Sequence, residues 1–512
     1  MTGRMIECSK SPTVPQITAD VCVVGSGAAG AILAHELAAR GFRVVVVERG
    51  AWRRSADFNQ REVDMFAALW KMNGVQFAAN FTLNVAQGQC VGGSTVINDA
   101  ICFRTPSDVL RVWRDDHGIP WASDDHMKPH FDELWQRLRI ARVQDESLNR
   151  NNRKLKEGAQ SLGWSGGNNE RNCVDCRECG YCHLGCHYDT KQSMLVTYVP
   201  WGLEGGVDVF ADCRAERIRF RNGRASELVC RIMQDGHETR HAMRVRASAF
   251  VVSAGAIAST ELLLRSRAGN ENVGHSIGFH PSPAVVGRYE EEINGFAGIP
   301  MSYHVDQFRR IEGRRGFLIE GIFIQPAQFS LLLPSFFPTY MQDYAHYTMA
   351  GILLWDEQAG VIRLNADGRA TFFYDLTPTD RDTLREAMKR TAEAFFGTTP
   401  APTEVLTSHR IPTRMSGLQD LDLIDARGFG PADLTLGSAH PQGGNRMGRD
   451  PEIYAVDPDF RLFAPNGSVY ENLYVCDASV LPTTVGVNPQ ISVMALALEL
   501  GKRLPVHQGV GT

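Results

Sequence analysis

Apolar and polar positions in the first fifty residues follow a strand, turn, helix, strand order. Val21 to Val24 make a short apolar run, Gly25, Gly27 and Gly30 punctuate the turn after it, Ala29 to Arg40 read as a helix, and Val44 to Val47 form a second apolar run ending on Glu48. A similar unit recurs at Val245 to Ala256, a buried strand running into a glycine turn with a helix over Ile257 to Arg265. Between the two, the pattern predicts helices around Glu62 to Met72 and His130 to Ile140, an orderly apolar segment over Thr190 to Pro200, and a strand pair over Val207 to Ile218. From Gly274 the character changes. Residues 286–430 alternate apolar strands with turns at Phe317 to Ile324, Thr348 to Trp355, Val361 to Leu364 and Ala370 to Asp375, followed by a long polar helix over Thr379 to Phe396. Asn365 to Gly368 joins the last two strands as a hairpin signal. A further buried strand delivers Asp477, and a last helix runs from Gln490 to Arg503. The expected fold is α/β: a doubly wound domain with a second, largely antiparallel β-sheet domain carrying helices.

Composition narrows the function. The 512 residues allow about three average domains and a large core. With 53 basic and 58 acidic residues the net charge is −5, and no long basic run alternates with aromatics, which argues against nucleic acid. The opening MTGRMIECSKSPTVPQ holds no continuous apolar segment and nothing downstream approaches a membrane span, so a cytoplasmic protein with a short loose N-terminus is expected.

The glycine turn carries the first chemistry. Gly25 permits the tight turn, Gly27 lets backbone approach a pyrophosphate, Gly30 allows close packing of helix on strand, and the helix N-terminus faces the phosphates. Glu48 stands where a carboxylate binds a ribose diol, which disfavours a 2′-phosphate and leaves NAD and FAD open. Gly92, Gly93, Ser94 and Thr95 form a second loop whose N–H groups and hydroxyls suit phosphate or flavin oxygens as well as an ordinary turn.

Five of the twelve cysteines crowd into Cys173-x2-Cys176-x2-Cys179-x2-Cys182-x3-Cys186. The last four match a ferredoxin spacing, with His187 where proline is usual; iron–sulfur, structural zinc and disulfides or free thiols all remain open. Phe329 to Tyr347 is dense in apolar and aromatic groups broken by prolines, as core or as the lining of an apolar pocket. Near the end, His440 sits in a glycine-rich loop and Asn488 precedes a proline, each on a constrained turn.

Together these motifs resemble the glucose–methanol–choline (GMC) family of FAD-dependent oxidoreductases. The resemblance rests on VVGSGAAG with Glu48, GGSTVIND at Gly92 to Asp99, SAGAIASTELLLRS, HPQGGNRMG at His440 to Gly448, and CDASVLP with GVNP. CGYCHLGC followed by KQSMLVTYVP is similar to the long-chain alcohol oxidase and related bacterial dehydrogenase branch, and the His440 with Asn488 pairing is similar to that of cholesterol oxidases. Two departures stand out: Thr260 where proline or serine is usual, and the added Cys173 and Cys176, which complete a four-thiolate set.

The resemblance implies an FAD-binding domain in three parts (17–110, 187–285 and 433–506), a helical and loop insertion at 111–172, the cysteine segment at 173–186 and a substrate domain at 286–432. Gly25, Gly27 and Gly30, with Ala28 beside them, and Glu48, with Arg49, would bind the ADP part of FAD. Gly92, Gly93, Ser94 and Asn98 would lie along the pyrophosphate and isoalloxazine, and Asp477 and Ala478 near the ribityl and phosphates. The expected reaction is oxidation of a hydrophobic alcohol by hydride transfer to flavin N5, His440 acting as base or at least orienting the hydroxyl and Asn488 holding the substrate oxygen. Cys176, Cys179, Cys182 and Cys186, with Cys173 as alternate, would hold a 3Fe-4S or 4Fe-4S cluster passing electrons to a carrier protein or quinone. The rivals are an oxygen-using oxidase with zinc or no metal, a lyase of the same fold, and a non-catalytic redox-sensing flavoprotein.

Overall fold

The computed structural model describes residues 2–10, 16–332 and 341–505. Strand β1 (Ile17–Val24), helix α1 (Gly30–Ala39) and strand β2 (Val44–Val47) form the opening unit, with Val21 opposite Val44 and Val24 opposite Val47 in parallel register. Both strands are buried along their apolar runs, as a parallel sheet covered on both faces requires. Strand β3 (Asp208–Ala211) lies parallel to β2. The hairpin β4 (Cys213–Arg221) and β5 (Arg224–Gln234) leads into the long β6 (His237–Val252). The first half of β6 pairs antiparallel with β5, and its second half lies parallel to β1. Helix α2 (Ala256–Ser266) follows, and strand β7 (Val469–Val475) lies parallel to the end of β6 on the side away from β1.

The loose N-terminus expected from the sequence is corrected in part. Met5–Glu7 forms an edge strand parallel to β3, because Met5 and Ile6 pack on the sheet core and Cys8 is fully buried.

A second sheet of seven strands is antiparallel throughout, in the order Arg414–Met415, Glu404–Thr407, Ala284–Arg288, Tyr347–Leu354, Phe317–Glu320, Tyr303–Val305 and Gly166–Asn168. The helices Arg150–Ser161 and Pro378–Phe396 cover its outer face. The second of these starts at a capping box made by Thr377 and Asp380. Strand alternation decides the other face: Phe317, Ile319, Ala350 and Ile352 point to the helices, whereas Glu320, Met349, Gly351 and Leu353 face inward. A four-stranded antiparallel sheet, Ala370–Phe373, Gly360–Leu364, His275–Gly278 and Gln442–Gly444, joins the two domains. Of the aromatic stretch Phe329 to Tyr347, residues 333–340 lie outside the described residues; Phe329 is fully buried, and the Tyr344 hydroxyl donates to Ile324 O at 2.5 Å.

Candidate functional site

Four parallel strands end along one edge of the first sheet. Gly25 N–H donates to Val47 O, Ser253 N–H to Val24 O and Cys476 N–H to Val252 O, so Gly25 to Gly27, Glu48, Ser253 to Gly255 and Asp477 come together at the carboxyl ends. In open α/β sheets this edge is where ligands bind. A cavity of about 450 Å³ starts there and reaches the inner face of the second sheet.

The glycines divide their roles by geometry. A Cβ on Gly30 would sit 1.9 Å from Gly25 O, so helix and turn touch there. A Cβ on Gly27 would meet nothing closer than 3.9 Å and would instead fill space beside Gly93. Gly25, at φ +102°, packs against Ser253.

Ser26, between them, escaped the sequence reading. Its N–H and Oγ–H both donate to Glu48 Oε2, at 2.9 and 2.7 Å, and its Oγ accepts from Gly92 N–H at 3.1 Å. Gly50 N–H satisfies Glu48 Oε1 at 2.7 Å. Gly92 therefore braces the turn, while Gly93, Ser94, Asn98, Ala28 and Arg49 line the cavity. Arg49 Nε is buried without a partner, an orphaned donor that fits an anionic or polar cofactor.

Asp477 takes Gly255 N–H at 2.9 Å, Ser259 Oγ–H at 2.5 Å and Ser479 N–H at 2.8 Å, which anchors the start of α2 to the end of β7. It and Ala478 line the cavity. Asn98 Nδ2 donates to Gln490 Oε1 at 2.8 Å, at the N-terminus of the last helix, α3 (Gln490–Arg503).

His440 is brought to the far end of the cavity by sheet register. Gly278 pairs with Gln442, so the antiparallel ladder continued two residues outward sets His280 across from His440. Gly486 N–H donates to His280 Nε2 at 3.1 Å, which assigns the His280 proton to Nδ1. Asp356 holds the backbone N–H groups of Phe279 and His280 at 2.9 and 3.0 Å. The His440 ring faces the cavity yet is shielded by protein from bulk solvent, and burial pushes its imidazole down to about 4.

Asn488 lies just before Pro489 and α3, lines the same cavity and is close enough to Glu320 to favour its charged form; its Oδ1 is buried without a partner. Glu320 also lines the cavity, has an unpartnered Oε1, and is pushed up to about 8 by burial, with the Asn488 amide beside it working against the rise. The signal that could have found Glu320 is a lone acid in the apolar strand Phe317–Glu320.

The cysteine strap wraps this wall. Asp175, Glu178, Gly180, Gly185 and Asp189 all take left-handed φ, so the backbone curls, and His183 is turned into the cavity with Nε2 2.5 Å from Asp99 Oδ2. Burial opposes the charge on both partners, but each holds the other ionised: His183 is raised and Asp99 lowered. Arg171 lies buried among Cys173, Cys182 and Cys176, with Nη2 3.3 Å from Cys182 Sγ and Nη1 without a partner. No disulfide joins the cysteines. No three of the strap's sulfurs lie within 4.8 Å of one another, wider than the roughly 3.8 Å between thiolates on one zinc ion with Zn–S near 2.3 Å.

The family model "GMC oxidoreductase" matches twice, its N-terminal part over residues 19–282 and its C-terminal part over 356–497. The chain is a GMC oxidoreductase. GMC oxidoreductases are FAD enzymes acting on CH–OH groups, and the open Gly27 cradle with the orphaned Arg49 donor fits that cofactor. This oxidoreductase is 33% identical over 500 residues to an uncharacterized GMC-type oxidoreductase of Mycobacterium tuberculosis, covering 96% of this chain and 76% of the relative. It is 27% identical over 530 residues to a long-chain-alcohol oxidase of Arabidopsis thaliana, covering 97% and 69%. Its fold matches pyridoxine 4-oxidase from Mesorbium loti at TM-score 0.72 and 18% identity, covering 94% and 98%. Among the described residues, no helix of the oxidoreductase is long and apolar enough to cross a membrane.

Proposed function

We propose that the enzyme oxidises a hydrophobic alcohol to an aldehyde or ketone, with His440 and Asn488 gripping the hydroxyl. One observation carries it: His440, Asn488 and Glu320 line one cavity, together with an apolar stretch of wall formed by Ile322, Ile324, Met349, Leu353, Phe66 and Trp70. An apolar wall favours an aliphatic or aromatic substrate body; the likeness to a long-chain-alcohol oxidase supports the same class. FAD, when bound, supplies the hydride acceptor at N5.

Alcohols do not ionise at neutral pH, so a side chain must take the hydroxyl proton as hydride leaves carbon. His440, neutral above about pH 4, is the proposed acceptor, and the Asn488 amide steadies developing charge on the oxygen. A second assignment has one specific observation behind it. The His280 proton points at His440 Nδ1, which leaves the His440 proton on Nε2 as a donor; Glu320, with its free Oε1, is then the acceptor while His440 orients the hydroxyl. Anaerobic mixing of the FAD-loaded enzyme with a panel of long-chain and aromatic alcohols tests the function. Flavin bleaching lost by about 10²- to 10⁴-fold in His440→Ala, with FAD retained, is expected; near-parental bleaching in that variant overturns the role of His440.

For the electrons' exit, Cys176, Cys179, Cys182 and Cys186, with Cys173 as alternate, would hold an iron–sulfur cluster of the 3Fe-4S or 4Fe-4S type, whose chemistry is single-electron transfer to a carrier protein or quinone. The curled strap against the cavity wall and the Arg171 cation buried among the thiols support this. Anaerobically purified protein should contain iron and acid-labile sulfide and give a cluster signal by electron paramagnetic resonance. Absence of all three removes the relay.

A further inference from the structure

Away from the flavin cavity, two helices bring three metal-ligating side chains to one point. On the helix Asp124–Arg137, His126 and His130 stand four residues apart and so share one face. From α3, Glu499 reaches between them: its Oε2 lies 2.9 Å from His126 Nε2 and 2.8 Å from His130 Nε2. The three ligand atoms fall within 4.8 Å of one another, and among the described residues no other group of three or more histidines, cysteines and carboxylates does so.

Two imidazole nitrogens and one carboxylate oxygen are the donor set of a three-ligand zinc site whose fourth position is left for water. Paired histidines at i and i+4 are how a single helix supplies two of those ligands. His130 and Glu499 are buried with side chains 8% and 7% exposed, while His126 is 44% exposed. The open position therefore faces solvent, which gives an ion its way in. Ligands about 2.0–2.1 Å from a tetrahedral ion lie roughly 3.3 Å apart, so loading lengthens the two Glu499–histidine distances by about half an ångström.

The surroundings are mixed, and both parts bear on affinity. Arg503 Nε is ion-paired with the other carboxylate oxygen, Glu499 Oε1, at 3.2 Å, an outer partner that helps orient a ligating carboxylate. Lys502 is the adverse neighbour. Its Nζ lies 3.5 Å from His130 Nδ1, the nitrogen that keeps its proton when Nε2 binds metal, although Glu133 draws the ammonium away at 2.6 Å.

We propose that His126, His130 and Glu499 bind one zinc ion that pins the helix Asp124–Arg137 to α3. Glu499 lies about 14 Å along the helix axis from Gln490, at about 1.5 Å per residue, so the ion is a structural pin for the helix that starts beside the active site and takes no part in flavin chemistry.

The test uses the full-length FAD-loaded enzyme, stripped with a chelator and titrated with zinc chloride against a chromophoric zinc indicator, with thermal melts in parallel. One equivalent should compete with the indicator and raise the melting temperature. His126→Ala and His130→Ala should each weaken that equivalent by at least about tenfold with the flavin spectrum unchanged, and Lys502→Met should tighten it. His126 is exposed, so its variant separates loss of a ligand from loss of the fold. Zinc that does not compete, or that binds the double histidine variant as tightly as the parent, for example through the cysteine strap, overturns the assignment.

Discussion

Nδ1 of His280 lies 3.4 Å from Nδ1 of His440, and the two rings meet edge to face at 5.4 Å. His280 is fixed from three sides: Gly486 N–H on Nε2, the Gln442 amide 3.2 Å from the ring nitrogens, and Asp356 on its backbone. It is buried, and its imidazole is driven well below the usual range by burial and by His440 beside it, so it stays neutral. In the proposed mechanism it holds the His440 ring in one orientation. His280→Ala should keep FAD and slow flavin reduction by about a hundredfold, the scale of losses from small misplacements of a reacting group. Anaerobic stopped-flow at saturating alcohol measures it; a parental rate would mean that His440 orients itself.

The two proton acceptors give pH profiles that rise in different ranges. His440 is held near 4, so if it takes the proton, flavin reduction rises as pH passes about 4 and is level from 5 to 9. Glu320 is held near 8, so if it takes the proton, the rate climbs about tenfold per pH unit below 8 and levels above it. Single-turnover reduction across pH 4 to 9 separates the two, and Glu320→Gln should abolish the upper rise only in the second case.

The parallel half of the fold was legible because its strands are continuous apolar runs and its turn is set by glycine: β2 ends where Val47 does, and α3 spans Gln490 to Arg503 as read from the sequence. His440 and Asn488 could be picked from their constrained turns. Their companions could not. His280 matters only because the Gly278–Gln442 register places it opposite His440, and pairing between segments about 160 residues apart leaves no local trace. Ser26 looked like filler between two glycines, yet its hydroxyl links Glu48 to Gly92. His183 was hidden by the cysteines around it, whose spacing drew attention to sulfur and away from the imidazole that the curled strap turns into the cavity.

The glycine turn offers a paired test of binding against packing. At Gly30 an added methyl would lie 1.9 Å from Gly25 O, a backbone atom that cannot yield without moving the turn. At Gly27 the space is open in the protein and would be filled only by cofactor. Gly30→Ala should therefore destabilise the chain by several kcal/mol, the upper range for single substitutions, and fail to accumulate in folded form. Gly27→Ala should fold, with a near-parental apoprotein melt, and bind FAD weakly. Equal losses of fold in the two variants would refute the division of roles.

Glu320 should also write itself into stability. A glutamate titrates near 4.3 in an unfolded chain and near 8 here, because burial penalises its charge. The folded state thus binds the proton more tightly than the unfolded state, and the stability tied to that proton is full below about pH 4 and lost as pH rises toward 8. Glu320→Gln keeps the shape and removes the titration. Melting temperatures of parent and variant, compared at each pH so that all other groups cancel, should differ by a constant amount below pH 4. Between 5 and 8 the variant should gain steadily on the parent, and above 9 the gap should again be constant. A gap that does not change between pH 5 and 8 would show that the Glu320 carboxyl is hydrated in solution and stays ionised.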